Sequence, residues 1–338
     1  MNITAKELAQ KLNLSATAVS MALNNKPGVS TKTRQLVIKA AEENGFDFSK
    51  LKSGRTHNGS VYLIFYKASN AILSYVPIFE DLFNGVKEVC QKEGLGTQIV
   101  QFYEKTDHIE RLFSDLRVAN CAGIILLGTE MSQSSCEQFI HLGIPMILLD
   151  TYFDSLKCTS VLINNAQGAY AATDYLISIT GTQPGYLQSS YQIPNFAERE
   201  EGYFRAIKMN GMSTYRSQIH KLSPSIGDAM ADMLKILDEP IEVSRCYFAD
   251  NDEIAIGAMK ALKLRGYRIP EDVCIIGFDN ISEGRVIEPS LTTMDVPRQY
   301  IGQVAAKLLI EQLDSPVMHH SKVSVSTHLV KRFSTRLQ

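Results

Sequence analysis

The first 24 residues carry the signals for two short helices separated by a tight turn. Thr4 stands three residues before Glu7, which is the spacing of a capping box, in which each side chain accepts from the other residue's backbone N–H. Asn13 tolerates the left-handed backbone of a turn, and Ser15 is a favourable cap for a second helix. The spacing therefore predicts a helix-turn-helix, whose second helix can lie in the major groove of DNA.

A third helix completes the predicted N-terminal head. Ser30 caps it, and Asn44 with Gly45 is a stop signal. Residues 1–56 hold nine Lys or Arg and four Asp or Glu, a balance of +5, although the whole chain carries −2. Because a basic segment attracts a polyanion, this charge favours DNA binding over the alternative of an alanine-rich helical pair without that function.

The candidate DNA contacts are the side chains that helical periodicity leaves on the outer face of the second helix. Val19, Ala22 and Leu23 are predicted to point inward. Thr17 offers a hydroxyl and a methyl group, and Met21 can contact a thymine methyl. The predicted DNA-binding residues are Ser15, Ala16, Thr17, Ser20, Met21, Asn24, Lys32 and, in the basic segment after the head, Leu51.

Past the head, short apolar runs alternate with amphipathic stretches typical of helices. The runs are rich in Val, Ile and Leu and indicate strands buried on both faces, which the intervening helices connect as parallel crossovers. The sequence therefore predicts an α/β protein with a doubly wound, mainly parallel body, and leaves open whether it has one sheet or two. The predicted strands are 61–66, 98–102, 123–127, 146–149, 161–164, 186–187, 246–249 and 273–278.

Much of the chain resembles the lac-repressor family. The segments similar to that family's DNA-binding head are 19–30, Thr33-Arg34 and 40–46, and those similar to its regulatory domain are 142–150, 272–280 and 289–294. The resemblance implies a helix-turn-helix head followed by a periplasmic-binding-protein-like body of two doubly wound parallel-sheet lobes, joined by three crossovers. The division it implies is 1–46 for the head, 47–59 for a hinge or linker, and 60–335 for the body, with a first lobe of 60–162 and 294–321 and a second of 163–293 and 322–335.

Two positions depart from the family's pattern. Many relatives carry a guanine-reading arginine where this chain has Met21, so specificity is predicted to depend more on DNA shape. The hinge lacks the usual Pro-Asn start and alanine-rich helix. Leu51, between two lysines, is either a minor-groove wedge or part of a disordered basic linker.

Polar residues after three predicted strands indicate a ligand cleft. Asp150, Asn251 and Asp279 each follow a strand, and ligands of parallel sheets gather beyond the strands' carboxyl ends. Each residue also fits the alternative of a helix cap. The resemblance adds Arg199, whose planar fork of donors suits sugar hydroxyls or a carboxylate. The predicted effector-binding residues are Asp150, Arg199, Asn251 and Asp279, with Phe79 and Phe196 as stacking faces or, alternatively, core.

Several classes of protein are excluded by missing signals. No catalytic motif, phosphate loop or dinucleotide fingerprint is recognisable, so we predict no enzyme and no cofactor. The six cysteines are scattered without a C-x-x-C pair, which predicts reduced thiols and no metal. No apolar run reaches the length of a membrane span, and no export signal is present, which predicts a cytoplasmic protein.

These observations predict a DNA-binding transcriptional regulator, a repressor, that binds a double-stranded operator as a homodimer. Its operator affinity is expected to depend on a small effector, a carbohydrate, bound between the lobes. Two alternatives stay open. One is control by a protein corepressor or a purine on the same fold, and the less favoured one is a solute-binding receptor.

Overall fold

The computed structural model describes residues 3–23, 28–46, 57–69, 77–315 and 319–335. The chain divides into two compact units near Gly59. We call residues 3–46 the head and the residues from Ser60 onward the body. Asn24, Leu51 and residues 47–56 of the predicted hinge lie outside the described residues.

The head consists of three helices, α1 (Ala5–Leu12), α2 (Ala16–Leu23) and α3 (Thr31–Glu43). The predicted capping box begins α1, because Thr4 N donates to Glu7 Oε2 at 2.8 Å and Glu7 N donates to Thr4 Oγ1 at 3.3 Å. These bonds satisfy backbone donors that a helix start leaves without partners.

A small apolar core of its own holds the head together. Asn13 ends α1 with a φ of 52°, the left-handed conformation that reverses the chain between α1 and α2. The prediction that Val19, Ala22 and Leu23 point inward is confirmed. The buried core residues of the head are Leu8, Ala9, Val19, Ala22, Leu23, Val37, Ala40 and Ala41.

Two six-stranded sheets form the frame of the body. The first has the strand order β11-β5-β4-β3-β1-β2 and the second the order β12-β10-β9-β8-β6-β7. Among the strands of the described residues, only β12 runs antiparallel to its neighbour. The strands are β1 (Ser60–Lys67), β2 (Gly96–Tyr103), β3 (Cys121–Leu127), β4 (Met146–Leu149), β5 (Thr159–Ile163), β6 (Gly185–Ser189), β7 (Ile219–Leu222), β8 (Cys246–Ala249), β9 (Cys274–Phe278), β10 (Thr292–Asp295), β11 (Lys322–Val325) and β12 (His328–Val330). The predicted α/β fold with a mainly parallel body is confirmed, and the body has two sheets.

The helices of the body pack against these sheets. In the first lobe α12 (Arg298–Asp314) covers β3, β4 and β5, and in the second α7 (Asn165–Thr180) and α10 (Asp252–Leu264) cover the central strands. None of the helices in the described ranges is long and apolar enough to cross a membrane. The helices are α4 (Pro77–Lys92), α5 (Ile109–Val118), α6 (Gln133–His141), α7 (Asn165–Thr180), α8 (Pro194–Met209), α9 (Ile226–Leu237), α10 (Asp252–Leu264), α11 (Glu283–Val286) and α12 (Arg298–Asp314).

The chain passes between the two sheets three times, after β5, after β10 and between β11 and β12. The predicted lobe boundaries need correction at the last two. Because β10 lies in the second sheet, Met294 belongs to the second lobe. Residues 322–325 form β11 in the first sheet, where Asn164 N donates to Val325 O at 2.9 Å. The sequence placed all of residues 322–335 in the second lobe, whereas this segment contributes one strand to each sheet.

One close helix contact gives a stability prediction. Where α8 crosses α7, a Cβ added to Gly202 would lie 2.3 Å from the carbonyl oxygen of Ala166. We expect Gly202→Ala to destabilise the body by about 1–3 kcal/mol, because the two helices must move apart. Urea unfolding followed by circular dichroism measures this. Gly227→Ala is the control, since its Cβ would meet no heavy atom within 4 Å; an equal loss in both variants would contradict the prediction.

Candidate functional site

The outer face of α2 is the first candidate site. Met21 is half-buried there, and Ser15 Oγ accepts from Ala18 N at 3.1 Å, so this serine caps the helix. The other predicted DNA-binding residues within the described ranges are exposed, namely Ser15, Ala16, Thr17, Ser20 and Lys32. The head therefore presents small polar and apolar side chains along the helix that the sequence predicted to meet base edges.

Contacts from neighbouring residues fix the end of α2. Arg34 Nη1 donates to the carbonyl oxygens of Met21 at 3.3 Å and of Ala22 at 3.4 Å. These carbonyls lie in the last turn, where they have no partner within the helix and where a cation is favourable. The sequence analysis did not single out Arg34, because its part is to hold α2 in place. Gly28, with a φ of 106°, approaches the Met21 sulfur so closely that an added Cβ would lie 3.3 Å from it.

The second candidate site is a cleft in the body, which encloses about 910 Å³ when the open solvent at its mouth is included. Asp150 follows β4, Asn251 follows β8 and Asp279 follows β9, so the three predicted strand-end residues all line this cleft. Asp150 and Asp279 have φ values of 63° and 108°. Residues other than glycine adopt such values rarely, and strained backbone conformations cluster at functional sites.

Arg199 is 3% exposed and held from several sides. Its Nε donates to Asn165 Oδ1 at 2.9 Å, its Nη1 donates to the carbonyl of Asp250, and its Nη2 donates to Asp279 Oδ1 at 3.3 Å. The guanidinium carbon lies 3.7 Å from the centroid of the Phe278 ring, a cation–π contact. The side chain is therefore oriented toward the cleft before any ligand binds.

A second arginine, which the sequence analysis missed, also meets Asp279. Arg298 is the first residue of α12, directly after the second crossover. Its Nη1 donates to the Asp279 carbonyl oxygen at 2.7 Å, and its Nη2 lies 3.6 Å from Asp279 Oδ1. The Asp279 carboxylate is thus placed between two guanidinium groups, one from each lobe.

Asp150 is held by one residue of each lobe. Thr129 Oγ1 donates to Asp150 Oδ2 at 2.6 Å, and Asn195 Nδ2 donates to Asp150 Oδ1 at 2.8 Å. Because Asn195 lies on α8 of the second lobe, this bond crosses the cleft. Burial raises the pKa of Asp150 to about 6, although both hydrogen bonds oppose the shift. Asn195 was also missed, since nothing in its local pattern separates it from an ordinary first-turn residue.

Asn251 and its neighbours perform structural roles at the same edge of the sheet. Asn251 Oδ1 accepts from Ile254 N at 2.9 Å, which makes it the N-cap of α10, the alternative that the sequence left open. Asp252 Oδ1 accepts from Thr293 Oγ1 at 2.6 Å, and its Oδ2 accepts from Ile281 N at 2.9 Å. Asn251 nevertheless lines the cleft, so capping leaves its amide group beside the ligand space.

The two predicted aromatic faces are placed differently. Phe196 lines the cleft, with its ring centroid 5.4 Å from the Arg199 guanidinium carbon. Phe79 is 5% exposed and packs on Phe65 at a centroid distance of 4.2 Å. It is not among the described residues that line the cleft, so it lies in the core, which was the other interpretation of this residue.

The cysteines are free thiols. Burial raises the pKa of Cys90 and Cys246 to about 11 and that of Cys136 to about 12. Thiols with such values are inert, because the thiolate is the reactive form. Within the described ranges, no group of three or more His, Cys, Asp or Glu side chains is placed to hold a metal ion.

Four carboxyls of the body have raised pKa values, and they outnumber His220, whose pKa burial lowers and which acts in the opposite direction. Burial is the main cause that raises the pKa of Asp252 to about 8, of Asp250 and Glu253 to about 7, and of Asp150 to about 6. A carboxyl with a higher pKa in the folded state binds a proton on folding. Its contribution to stability is therefore complete below the usual carboxyl pKa and is lost as the pH rises through the folded-state value.

We accordingly expect the body to become more stable when the pH falls from 8 to 6. The gain is at most about 1.4 kcal/mol per pH unit for each group that titrates. Urea unfolding at pH 8, 7 and 6 measures it, and Asp252→Asn should flatten the dependence in the upper half of this range. A body that loses stability between pH 8 and pH 6 would show that these pKa values are not raised.

Comparison with known proteins gives two family matches. The family described as bacterial regulatory proteins, lacI family, matches residues 4–47, and the periplasmic binding protein-like domain matches residues 173–335. Over 340 residues the chain is 28% identical to the HTH-type transcriptional repressor CytR of Escherichia coli K12, and the alignment covers 98% of this chain and 96% of that protein.

Solved structures agree with these matches. A LacI family transcriptional regulator from Enterococcus faecium with bound ribose aligns with a TM-score of 0.69 at 25% identity, covering 81% of this chain and 98% of that one. The lac repressor dimer bound to operator and the anti-inducer ONPF aligns with a TM-score of 0.68 at 19% identity, covering 99% of each chain. The second likeness concerns the fold alone.

A three-helix head followed by a two-lobed body with a polar cleft defines a DNA-binding transcriptional regulator. The chain carries a helix-turn-helix domain of the lacI family of bacterial regulatory proteins and a periplasmic binding protein-like domain, as the sequence predicted. A relative aligned along almost its whole length is a transcriptional repressor, which confirms the prediction of a regulator rather than an enzyme.

Proposed function

We propose that this protein is a cytoplasmic repressor that binds a double-stranded operator as a homodimer. Its affinity for the operator rises or falls when a carbohydrate binds in the cleft. The observation that carries the effector half of the proposal is Arg199, buried and oriented toward Asp279 in a cleft that both lobes line. A fixed donor fork beside a carboxylate suits a ligand whose hydroxyls both donate and accept.

The operator half rests on the head. Ser15, Ala16, Thr17 and Ser20 are exposed and Met21 is half-buried on the outer face of α2, and Lys32 is exposed at the start of α3. In helix-turn-helix proteins the second helix contacts base edges in the major groove. A dimer supplies two such helices to a two-fold symmetric operator, and the lac repressor, whose fold this chain shares, is a dimer on its operator.

The effector is proposed to be a carbohydrate that contacts Arg199, Asp279, Asp150 and Asn251, with Phe196 as an apolar face. A relative of the same fold at 25% identity holds ribose. The bond between Asn195 and Asp150 and the contacts between Arg298 and Asp279 join opposite sides of the cleft. A ligand that replaces or strengthens these contacts favours one spacing of the lobes, and it thereby couples to operator affinity.

One experiment tests both halves together. Operator duplexes are selected from a random library with the full-length protein, and affinity is then measured by fluorescence anisotropy with and without ribose, glucose and galactose. We expect a two-fold symmetric operator whose log affinity falls by roughly 0.9 per neutralised phosphate for each unit of log salt. At least one sugar should change that affinity. Equal operator binding by a chain that begins at Ser60 would contradict the role of the head.

Met21 gives a sharper test of base contact. Met21→Arg adds a bidentate donor on the outer face of α2, which should favour guanine by about 1–3 kcal/mol at one symmetric position. Repeating the selection with the variant measures this preference. Met209→Arg, at a body position that is 71% exposed, adds the same charge as a control. If the selected sequence is unchanged in Met21→Arg, this face does not meet the bases.

A further inference from the structure

The charged side chains that line the cleft are unbalanced. Two of them are arginines, Arg199 and Arg298, and no lysine or histidine from the described residues joins them. The carboxyls that line the cleft are Asp150, Asp252, Glu253 and Asp279. The lining therefore holds two more carboxyl groups than guanidinium groups, and because burial raises the pKa of Asp252 to about 8 and that of Glu253 to about 7, its excess of negative charge grows as the pH rises through these values.

Both arginines already form an ion pair with a carboxylate of the protein. The Asp279 carboxylate lies 3.3 Å from Arg199 and 3.6 Å from Arg298. Arg199 donates in addition to Asn165 and to the Asp250 carbonyl. A phosphate or carboxylate of a ligand that leaves water is stabilised most strongly by a cation, and each cation of this cleft already has a competing carboxylate beside it.

Glu253 differs from the other acids of the cleft. Asp150 accepts from Thr129 and Asn195, and Asp252 accepts from two donors of its own lobe. Glu253 is half-buried, and within the described residues its carboxyl group has no hydrogen bond or ion pair. It stands in the first turn of α10 and faces the ligand space beside Asp279. The Glu253 carboxyl group is therefore available to contact a ligand bound in the cleft.

We propose that Glu253 is a specificity-determining residue that admits uncharged polyhydroxyl effectors and rejects sugar phosphates and sugar acids. The inference rests on the proposed carbohydrate effector. A neutral hydroxyl donates to the Glu253 carboxylate, whereas an anionic group placed there is repelled by Glu253 and Asp279 together. Burial, and after it the charges of Asp279 and Glu283, raise the pKa of Glu253 to about 7, so the discrimination against anions should be strongest above pH 7, where Glu253 is ionised.

Calorimetry on the full-length protein tests the proposal with matched pairs of ligands. The pairs are ribose with ribose 5-phosphate, glucose with glucose 6-phosphate and glucuronate, and galactose with galacturonate. For the neutral sugar that binds, its charged counterpart should bind at least about tenfold more weakly, because like charges at short range are strongly unfavourable in a desolvated site. Glu253→Gln removes one charge at constant size and should reduce the difference in affinity between the neutral sugar and its charged counterpart. Glu201→Gln, on the exposed side of α8, should leave it unchanged.

The outcomes separate this inference from the proposed function. A charged sugar that binds the unmodified protein as tightly as its neutral partner would overturn the inference and leave the carbohydrate effector standing. Binding of no compound in either arm would overturn both. If Glu253→Gln keeps the unfolding midpoint of the unmodified protein and also keeps its difference in affinity between neutral and charged sugars, Glu253 does not cause that difference.

Discussion

Replacing Arg199 with alanine is expected to abolish effector binding while operator binding without ligand persists. The change removes the donor fork of the cleft and leaves Asn165, the Asp250 carbonyl and part of Asp279 without their partner. Hydrogen bonds to charged groups contribute about 1.5–3 kcal/mol each, so the lost ligand contacts should lower affinity by roughly a hundredfold or more. Calorimetric titration with the best-binding sugar measures this.

The control is Arg205→Ala on the same helix, because Arg205 is largely outside the cleft and donates to the Ala166 carbonyl at 3.2 Å. Arg199→Lys adds a second comparison, since it keeps the charge without the planar fork. Removing one partner of a buried pair also destabilises a protein, so the unfolding midpoint of each variant is recorded. Normal sugar titrations in Arg199→Ala would contradict the assignment of the cleft.

The architecture was predictable because its signals are local. A buried parallel strand such as Cys274–Phe278 is a continuous apolar run, and every residue of it is buried. The capping residues Thr4 and Ser30 indicate where helices begin. The side-chain oxygen of each accepts a hydrogen bond from the backbone N–H three residues later. Edge strands give a weaker signal. β7 (Ile219–Leu222) reads Ile-His-Lys-Leu and is mostly uncovered, so no apolar run revealed it.

Parts of the site were unpredictable because they depend on pairing across the chain. Asp150 and Asp279 follow strands and were found from that position alone. Asn195 and Arg298 matter only through partners 45 and 19 residues away, and no local pattern records such a partner. Phe79 illustrates the opposite failure. An aromatic side chain at helical spacing serves a core as well as a ligand, and only the packing on Phe65 distinguishes the two.

Leu8→Ala should have the opposite effect to Arg199→Ala, abolishing operator binding and leaving the cleft intact. Leu8 is fully buried in the head, whose described residues contribute eight buried apolar side chains to its core. Truncating a buried leucine costs about 2–5 kcal/mol, and a domain this small has little stability to spare. We therefore expect the head to unfold at 25 °C and operator affinity to fall to the level of a chain that lacks it. Fluorescence anisotropy measures operator binding, and calorimetry on the same sample measures sugar binding.

Leu36→Ala is the matched control, because Leu36 lies in the same small unit but is 53% exposed. An exposed truncation changes stability by at most about 0.5 kcal/mol, so operator binding should survive it. Sugar binding should survive in both variants, since the body is a separate compact unit with cores of its own. If Leu8→Ala also abolished sugar binding, the cleft would need a folded head. Operator binding and sugar binding would then depend on one folding unit. Ligand control of operator affinity could not be described as the coupling of two independently folded units.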